Sequence, residues 1–340
     1  MRERQLVYNF LRAALTGEKP DMGHVETSEW WSLFRLLQRN HVLALCYDAA
    51  VTSGVPREVL LPWLAERQKA VEWHRYQKQV QQEIVDTMAS HGIQTMVLKG
   101  THIAQYYPYP ETREFGDFDL YFYDRHDEAD RVAREVLKVK VSNDSHHHSK
   151  YDYRGVTVES HYDFVNVHYP PSNQRYEAML KEMVPSPIFE VLFLLRHMAV
   201  HFAASRLMLR DLVDWTLTCQ ALEQQVDWAF VQRTAEDFGM KPFMNALSNI
   251  AYQRLGYQPP IQTAQGDNAS IERLEQDIVY GSPATDDRLV DGLARLIWKL
   301  RRWRALGWKR GMVFNDSKIS LLVASLSSHT EKPRSILHKM

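Results

Sequence analysis

With 340 residues, 45% apolar and 24% charged, the chain has the make-up of a folded protein built as two domains or as one catalytic domain with helical additions, which excludes global disorder. A formal net charge of −1 leaves no overall field to recruit nucleic acid or an anionic membrane, so any such binding has to be local. Cys46 and Cys219 are far apart and form no CxxC pair or disulfide framework, which suits a reducing cytoplasm.

The opening residues interrupt their apolar positions with charge too often for a signal segment, and no later run reads as long enough to span a bilayer. Secretion and membrane spanning are therefore not expected. Residues 3–17 read as a short amphipathic helix carrying Leu6, Phe10, Leu11 and Leu15. Thr27 or Ser28 can cap a second helix with Trp31, Phe34, Leu37 and Val42 on its buried stripe and a break near Asn40. Pro56 opens a long helical tract to His91, in which Leu60, Leu64, Val71, Trp73, Val80, Ile84 and Met88 recur at three and four, and Gly92 stops it.

The pattern then changes. Residues 93–98 form an apolar, partly β-branched run ending in Lys99-Gly100, followed by a brief helix cut by Pro108 and Pro110. Residues 116–123 alternate: Asp117 and Asp119 project from one face of a strand, and Phe118, Leu120 and Phe122 from the other. Carboxylates at i and i+2 have roots about 7 Å apart, so both can lean onto one divalent cation. Residues 127–138 predict a charged helix with Ala129, Val132, Ala133 and Val136 inward. His146, His147 and His148 read as a solvated loop before a hairpin turning at Gly155, whose second strand carries Thr157, Glu159 and His161 on one face.

From Pro187 the pattern is helical again, with an almost wholly apolar segment at 188–203 and further helices at 207–222, 228–238 and 243–255. Residues 257–285 read as a mobile connector holding one short helix around 271–279. Residues 288–308 read as a basic helix with Leu289, Leu293, Ile297, Leu300 and Trp303 at spacing, and the last dozen residues as a loose tail. The expected organisation is a helical region over 1–91, an α/β core over 92–185 and a helical domain over 186–340, an α+β class.

The order strand, Lys99-Gly100, short helix, Arg113-x-x-Gly116-Asp117-x-Asp119, then Glu159 two residues before His161, resembles the DNA polymerase β-like nucleotidyltransferase superfamily. More narrowly it resembles its bacterial uncharacterised family with a Leu-Lys-Gly motif, over roughly residues 93–163. The resemblance implies a mixed sheet carrying three carboxylates, two Mg²⁺ ions, and transfer of a nucleoside monophosphate from an NTP, ATP being the expected donor, to an acceptor hydroxyl. It assigns Asp117 and Asp119 as the paired metal-binding acids, Glu159 as the third carboxylate, and Gly100 as the glycine of a Gly-Ser turn in which Thr101 replaces Ser. The departures are that Thr101, a long Gly100-to-Asp117 gap containing Tyr-Pro-Tyr-Pro, and Glu in place of Asp at 159.

The chemistry agrees with those assignments. Phosphoryl transfer needs charge neutralisation and in-line placement, which two cations about 3.5–4 Å apart supply, and acids on neighbouring strands about 4.8 Å apart suit that spacing. A glycine lets backbone N–H groups approach a phosphate, the start of the next helix adds partial positive charge, and Lys99 can meet the β- or γ-phosphate. Bland readings stand beside these. Arg113 orients phosphate or pairs with Asp117 or Asp119; Lys99 is a strand-end charge; His161 is a structural partner; Glu159 pairs with Arg113 or Arg154. His197 and His201 have metal-ligand spacing but lack the Glu of a metalloprotease motif and an evident third ligand, so packed histidines are the default. Arg206, Arg210, Asp211 and Asp214 line a cleft or form an ion-pair network. The basic helix with Trp298, Trp303 and Trp308 touches nucleic acid or lipid, or simply packs. A nucleotide-binding regulatory module without turnover is the alternative function. The acceptor, a small molecule, a protein or an RNA end, is not legible.

Overall fold

The structure, a computed structural model, describes residues 2–143, 147–261, 268–281 and 292–327. It is an α+β fold, 63% helical, with helices flanking a small mixed four-stranded sheet. The lead-in is helical: α1 (Arg2–Thr16), α2 (Thr27–Arg39), α3 (Tyr47–Thr52) and α4 (Arg57–Ser90). The cap of α2 is Glu26 rather than Thr27 or Ser28, because its carboxylate and that of Glu29 exchange bonds with the orphan N–H groups of the first turn.

In α4 the apolar spacing holds at Val80, Ile84 and Met88, all buried. It fails at Trp73, which is 42% exposed and stacks on Tyr76, while the polar His74 and Gln77 take the buried positions.

Next come β1 (Met96–Val97), α5 (Thr101–Ala104), β2 (Asp117–Tyr121), α6 (His126–Glu135), β3 (His148–Tyr153), β4 (Val156–His161) and α7 (Asn173–Met183). The sheet order is β1-β2-β4-β3. β2 lies antiparallel to β1 and parallel to β4, and β4 lies antiparallel to β3. Arg154 and Gly155, with φ of 51° and 76°, form the two-residue hairpin turn between β3 and β4, where positive φ at both central positions matches the strand twist. One sheet face buries Phe118, Leu120, Phe122, Val156 and Val158 against Val80, Ile84 and Met88 of α4 and Ala129, Val132 and Ala133 of α6. Val136 is 45% exposed, because α6 ends at Glu135; the inward polar residue is Asp130, whose carboxylate accepts from Ser149 Oγ at 2.6 Å.

The remaining helices are α8 (Pro187–Ala204), α9 (Leu209–Ala221), α10 (Trp228–Asp237), α11 (Lys241–Ile250), α12 (Asn268–Tyr280), α13 (Gly292–Ala305), α14 (Gly307–Val313) and α15 (Lys318–Ser327). By contact, the described residues of Met1–Trp63 and Met183–Asn315 form a helical unit, and those of Leu64–Glu182 and from Asp316 onward form the sheet unit.

Three expectations for the helical unit are corrected. The short helix expected around 271–279 in a mobile connector is the longer, packed helix α12, with Ile271, Leu274 and Ile278 buried, the Val279 carbonyl taken by Asn40 Nδ2 at 3.0 Å, and Asp277 paired with Lys309 at 2.6 Å. The basic helix breaks at Leu306 into α13 and α14; its expected start and the C-terminal tail lie outside the described residues. Trp308 packs edge-on against Phe202 at 5.3 Å and Lys309 is buried. Finally α8, at 18 residues and mean hydropathy 1.3, is long and apolar enough to cross a bilayer, against the expectation that no run would be. It is 61% buried in the fold, and its Arg196 is buried with Nη1 donating to the Phe238 and Val313 carbonyls at 3.5 Å, which is the packing of a core helix.

Glu177 of α7 fixes the chain as it leaves β4: its carboxylate accepts the backbone N–H groups of Phe164 and Val165 at 3.1 and 3.0 Å. Glu177→Ala strands two buried donors, and chemical denaturation of that variant is expected to show a loss of roughly 2–4 kcal/mol.

Candidate active site

The polar face of the sheet follows from register. β2 and β4 run parallel with Asp117 opposite Thr157, Asp119 opposite Glu159 and Tyr121 opposite His161. β3 adds His148 opposite His161 and Lys150 opposite Glu159. Paired residues share a face, so Asp117, Asp119, Glu159, His161, His148 and Lys150 form one polar surface while Phe118, Leu120 and Val158 point into the core.

Within that surface Asp119 is buried between two cationic or donor groups. Lys99 Nζ lies 3.0 Å from its Oδ2 and His161 Nε2 lies 3.0 Å from its Oδ1. Glu159 has Lys150 Nζ at 3.5 Å and His148 Nε2 at 3.6 Å from Oε1, and His161 Nε2 at 3.8 Å from Oε2. Burial first, then the like charges of Asp117 and Asp119, push the Glu159 carboxyl above its ordinary range, with His161 and Lys150 pulling it back. Burial, reinforced by His161, pushes His148 down to about 4, so its imidazole is neutral at physiological pH.

Gly100 sits at φ 62°, ψ −115°, a backbone region open essentially to glycine alone, and a Cβ there would lie 3.4 Å from the Phe115 ring and 3.8 Å from the Asp117 carbonyl. The turn is therefore held against the start of β2. Arg113, 4% exposed, braces it by donating from Nη1 to the Gly100 carbonyl at 3.0 Å, and Thr101 Oγ1 donates to Gln81 at 2.7 Å. The helix after the turn has four residues, too few for the N-terminal field expected of it. Arg154 pairs with Glu83 at 2.9 Å rather than with Glu159.

Sequence reasoning missed two sets of residues. His74, Gln77 and Gln81 of α4 hold the motif loop: His74 Nδ1 is 3.4 Å from the Arg113 carbonyl, and Gln77 Nε2 donates to the Phe115 carbonyl at 3.1 Å. Their signal was polar residues at helical spacing on an otherwise apolar face. His147 and His148 are not a solvated loop. His148 belongs to β3, and the His147 ring stands edge-on to His161 at 4.7 Å; His146 lies outside the described residues. Elsewhere, the His197 and His201 rings lie 4.3 Å apart, and among the described residues no third donor completes a metal-sized group with them. Arg210 pairs with Asp211 at 3.3 Å, and Arg206 donates to the Arg39 carbonyl.

Residues 26–256 match the family described as Uncharacterised nucleotidyltransferase. The chain belongs to that family. Comparison with curated proteins and with solved structures gives no match. Family membership supports a transferase at that coarse level and lies across the whole acid-bearing sheet.

The raised pKa of Glu159 means that the fold holds its proton more tightly than the unfolded chain does. The stability this contributes is complete below the ordinary carboxylate range and is lost as pH rises through the raised value. In metal-free buffer, Glu159→Gln is expected to melt near wild type below the ordinary carboxylate range and progressively above wild type as pH rises past that range, read as Tm against pH.

Proposed function

We propose that this protein transfers the nucleoside monophosphate of an NTP, ATP being the expected donor, to an acceptor hydroxyl with release of pyrophosphate. The observation that carries the reading is the parallel register of β2 and β4, which sets Glu159 beside Asp119 and keeps Asp117 on the same face. The acceptor oxygen forms a bond to the α-phosphorus, the bond from that phosphorus to the β-bridging oxygen breaks, and the hydroxyl proton passes to a carboxylate, for which Glu159 is the assigned base. A raised carboxyl pKa suits that role.

Three carboxylates on one face fit divalent cations. The charges of Asp117 and Asp119 raise the cost of ionising Glu159, and a cation relieves it. Asp117, Asp119 and Glu159 are the residues that would hold Mg²⁺, and two such ions supply neutralisation of the triphosphate and activation of the attacking oxygen. Asp117 stands at the open end of β2, whereas Asp119 is held by Lys99 and His161. Lys99 is assigned to exchange this partner for a β- or γ-phosphate, with Gly100 and Thr101 giving the phosphates access to the backbone and Arg113 keeping the turn in shape.

The Lys99–Asp119 ion pair also favours a second reading, a nucleotide-binding regulatory module without turnover, because a protein cation already neutralises a metal-binding acid. Pyrophosphate release separates the two. Two buried free cysteines suit a cytoplasmic setting for either.

Asp117→Asn and Asp119→Asn are each expected to abolish Mg²⁺-supported NTP binding in calorimetry while the fold survives. Either variant binding Mg²⁺-ATP at wild-type affinity overturns the assignment. Glu159→Gln is expected to cut pyrophosphate release at least about a hundredfold with a much smaller change in NTP affinity, because its interaction matters mainly in the transition state. Gly100→Val weakens triphosphate binding, and its positive φ adds a loss of stability of order 1–3 kcal/mol in thermal denaturation.

A further inference from the structure

The neighbours of Glu159 across the β3–β4 ladder are imidazoles. His148 lies directly opposite His161, and Glu159 is two residues before His161 on the same face. His148 Nε2 is 3.6 Å from Glu159 Oε1, His161 Nε2 is 3.8 Å from Oε2, and all three ligand atoms lie within 4.8 Å of one another. A tetrahedral ion with bonds of about 2.0–2.2 Å needs ligand atoms about 3.3–3.6 Å apart, so small side-chain rotations close the set. The rings are already held: their centroids are 5.5 Å apart, and His147 packs edge-on against His161. The Nδ1 atoms of His148 and His161 are buried without a hydrogen-bond partner, so each ring makes its polar contacts through Nε2, the nitrogen facing Glu159.

We propose that His148, Glu159 and His161 form a binding site for one divalent transition-metal ion of the zinc class. Two imidazole nitrogens and one carboxylate are the donor set of borderline ions, whereas Mg²⁺ prefers an all-oxygen shell. Three protein ligands leave a fourth position for water or a substrate oxygen. Asp119, whose Oδ1 is 3.0 Å from His161 Nε2 and which is anchored by Lys99, borders this ion and, with Asp117, remains available to Mg²⁺. The site goes beyond the transfer reading and stands without it, although both use Glu159.

The test is a zinc titration of the chelator-stripped full chain against a chromophoric indicator, in millimolar Mg²⁺, with folding of each variant checked by circular dichroism. Wild type is expected to take up one Zn²⁺ that Mg²⁺ does not displace. His148→Ala, His148→Gln and Glu159→Gln each weaken it more than about tenfold, while His197→Ala leaves it unchanged. Co²⁺ in place of Zn²⁺ is expected to give a visible absorption band in wild type that His148→Gln lacks. Wild type without Zn²⁺ uptake, displacement by Mg²⁺, or unchanged affinity in both folded His148 variants overturns the site. The outcomes separate the two readings. His148-dependent zinc uptake without Mg²⁺-NTP binding removes the transferase reading alone. Mg²⁺-NTP binding lost in Asp117→Asn, without zinc uptake by wild type, removes the metal site alone.

Discussion

Everything at the candidate site depends on one ladder, the parallel pairing of β2 with β4 that sets Asp119 opposite Glu159. A shift of one residue would send Phe118 or Val158 outward and turn the acids into the core, so the register is locked by the same alternation that builds the face. The lock is apolar. Phe118, Leu120, Val156 and Val158 are fully buried against α4 and α6, and they can be so only when the carboxylates face the other way. Core packing and the carboxylate constellation are therefore two sides of one constraint.

That face carries a tension that the protein manages locally. Asp117, Asp119 and Glu159 repel one another, and the fold answers with Lys99 on Asp119 and Lys150 on Glu159. The two lysines differ in setting. Lys99 is mostly enclosed beside a buried acid, whereas Lys150 is half exposed and screened by solvent, so its pairing is weak and readily exchanged. In the proposed transfer reaction, a metal ion on Asp119 would release Lys99, and a triphosphate would take that lysine over. His148 and His161 add neutral or hydrogen-bonded nitrogen donors at the Glu159 end, giving the face a hard-oxygen side and an imidazole side.

How much of this was legible in the sequence depended on the range of the interaction that set each feature. The strand from Asp117 and the hairpin at Gly155 were legible because alternation and turn chemistry are local. The break of α2 at Asn40 was legible too, but the role of Asn40 was not: its Nδ2 reaches Val279, far along the chain. Trp73 was misread as core because apolar spacing alone cannot show that His74 and Gln77 are needed inside to hold the carbonyls of Arg113 and Phe115. Val136 lies past the end of α6 and is exposed, and α12 runs longer than the short helix expected at 271–279, because its composition is polar around a narrow buried stripe. His148 was assigned to a loop by its neighbours, although its partner across the ladder, His161, places it on the site. The two contact units interleave along the chain, a property of long-range packing that no linear pattern carries.

The central claim is that the acid-bearing face moves the α-phosphate of a nucleotide rather than its γ-phosphate. Incubating the protein with Mg²⁺, cell extract and ATP carrying its label at either the α- or the γ-phosphate measures this directly. The account predicts that label from the α-position becomes covalently attached to an acceptor while an equal amount of pyrophosphate appears and γ-label is recovered in that pyrophosphate. Attachment of γ-label to the acceptor, or binding of ATP with no transfer of either label, would contradict it.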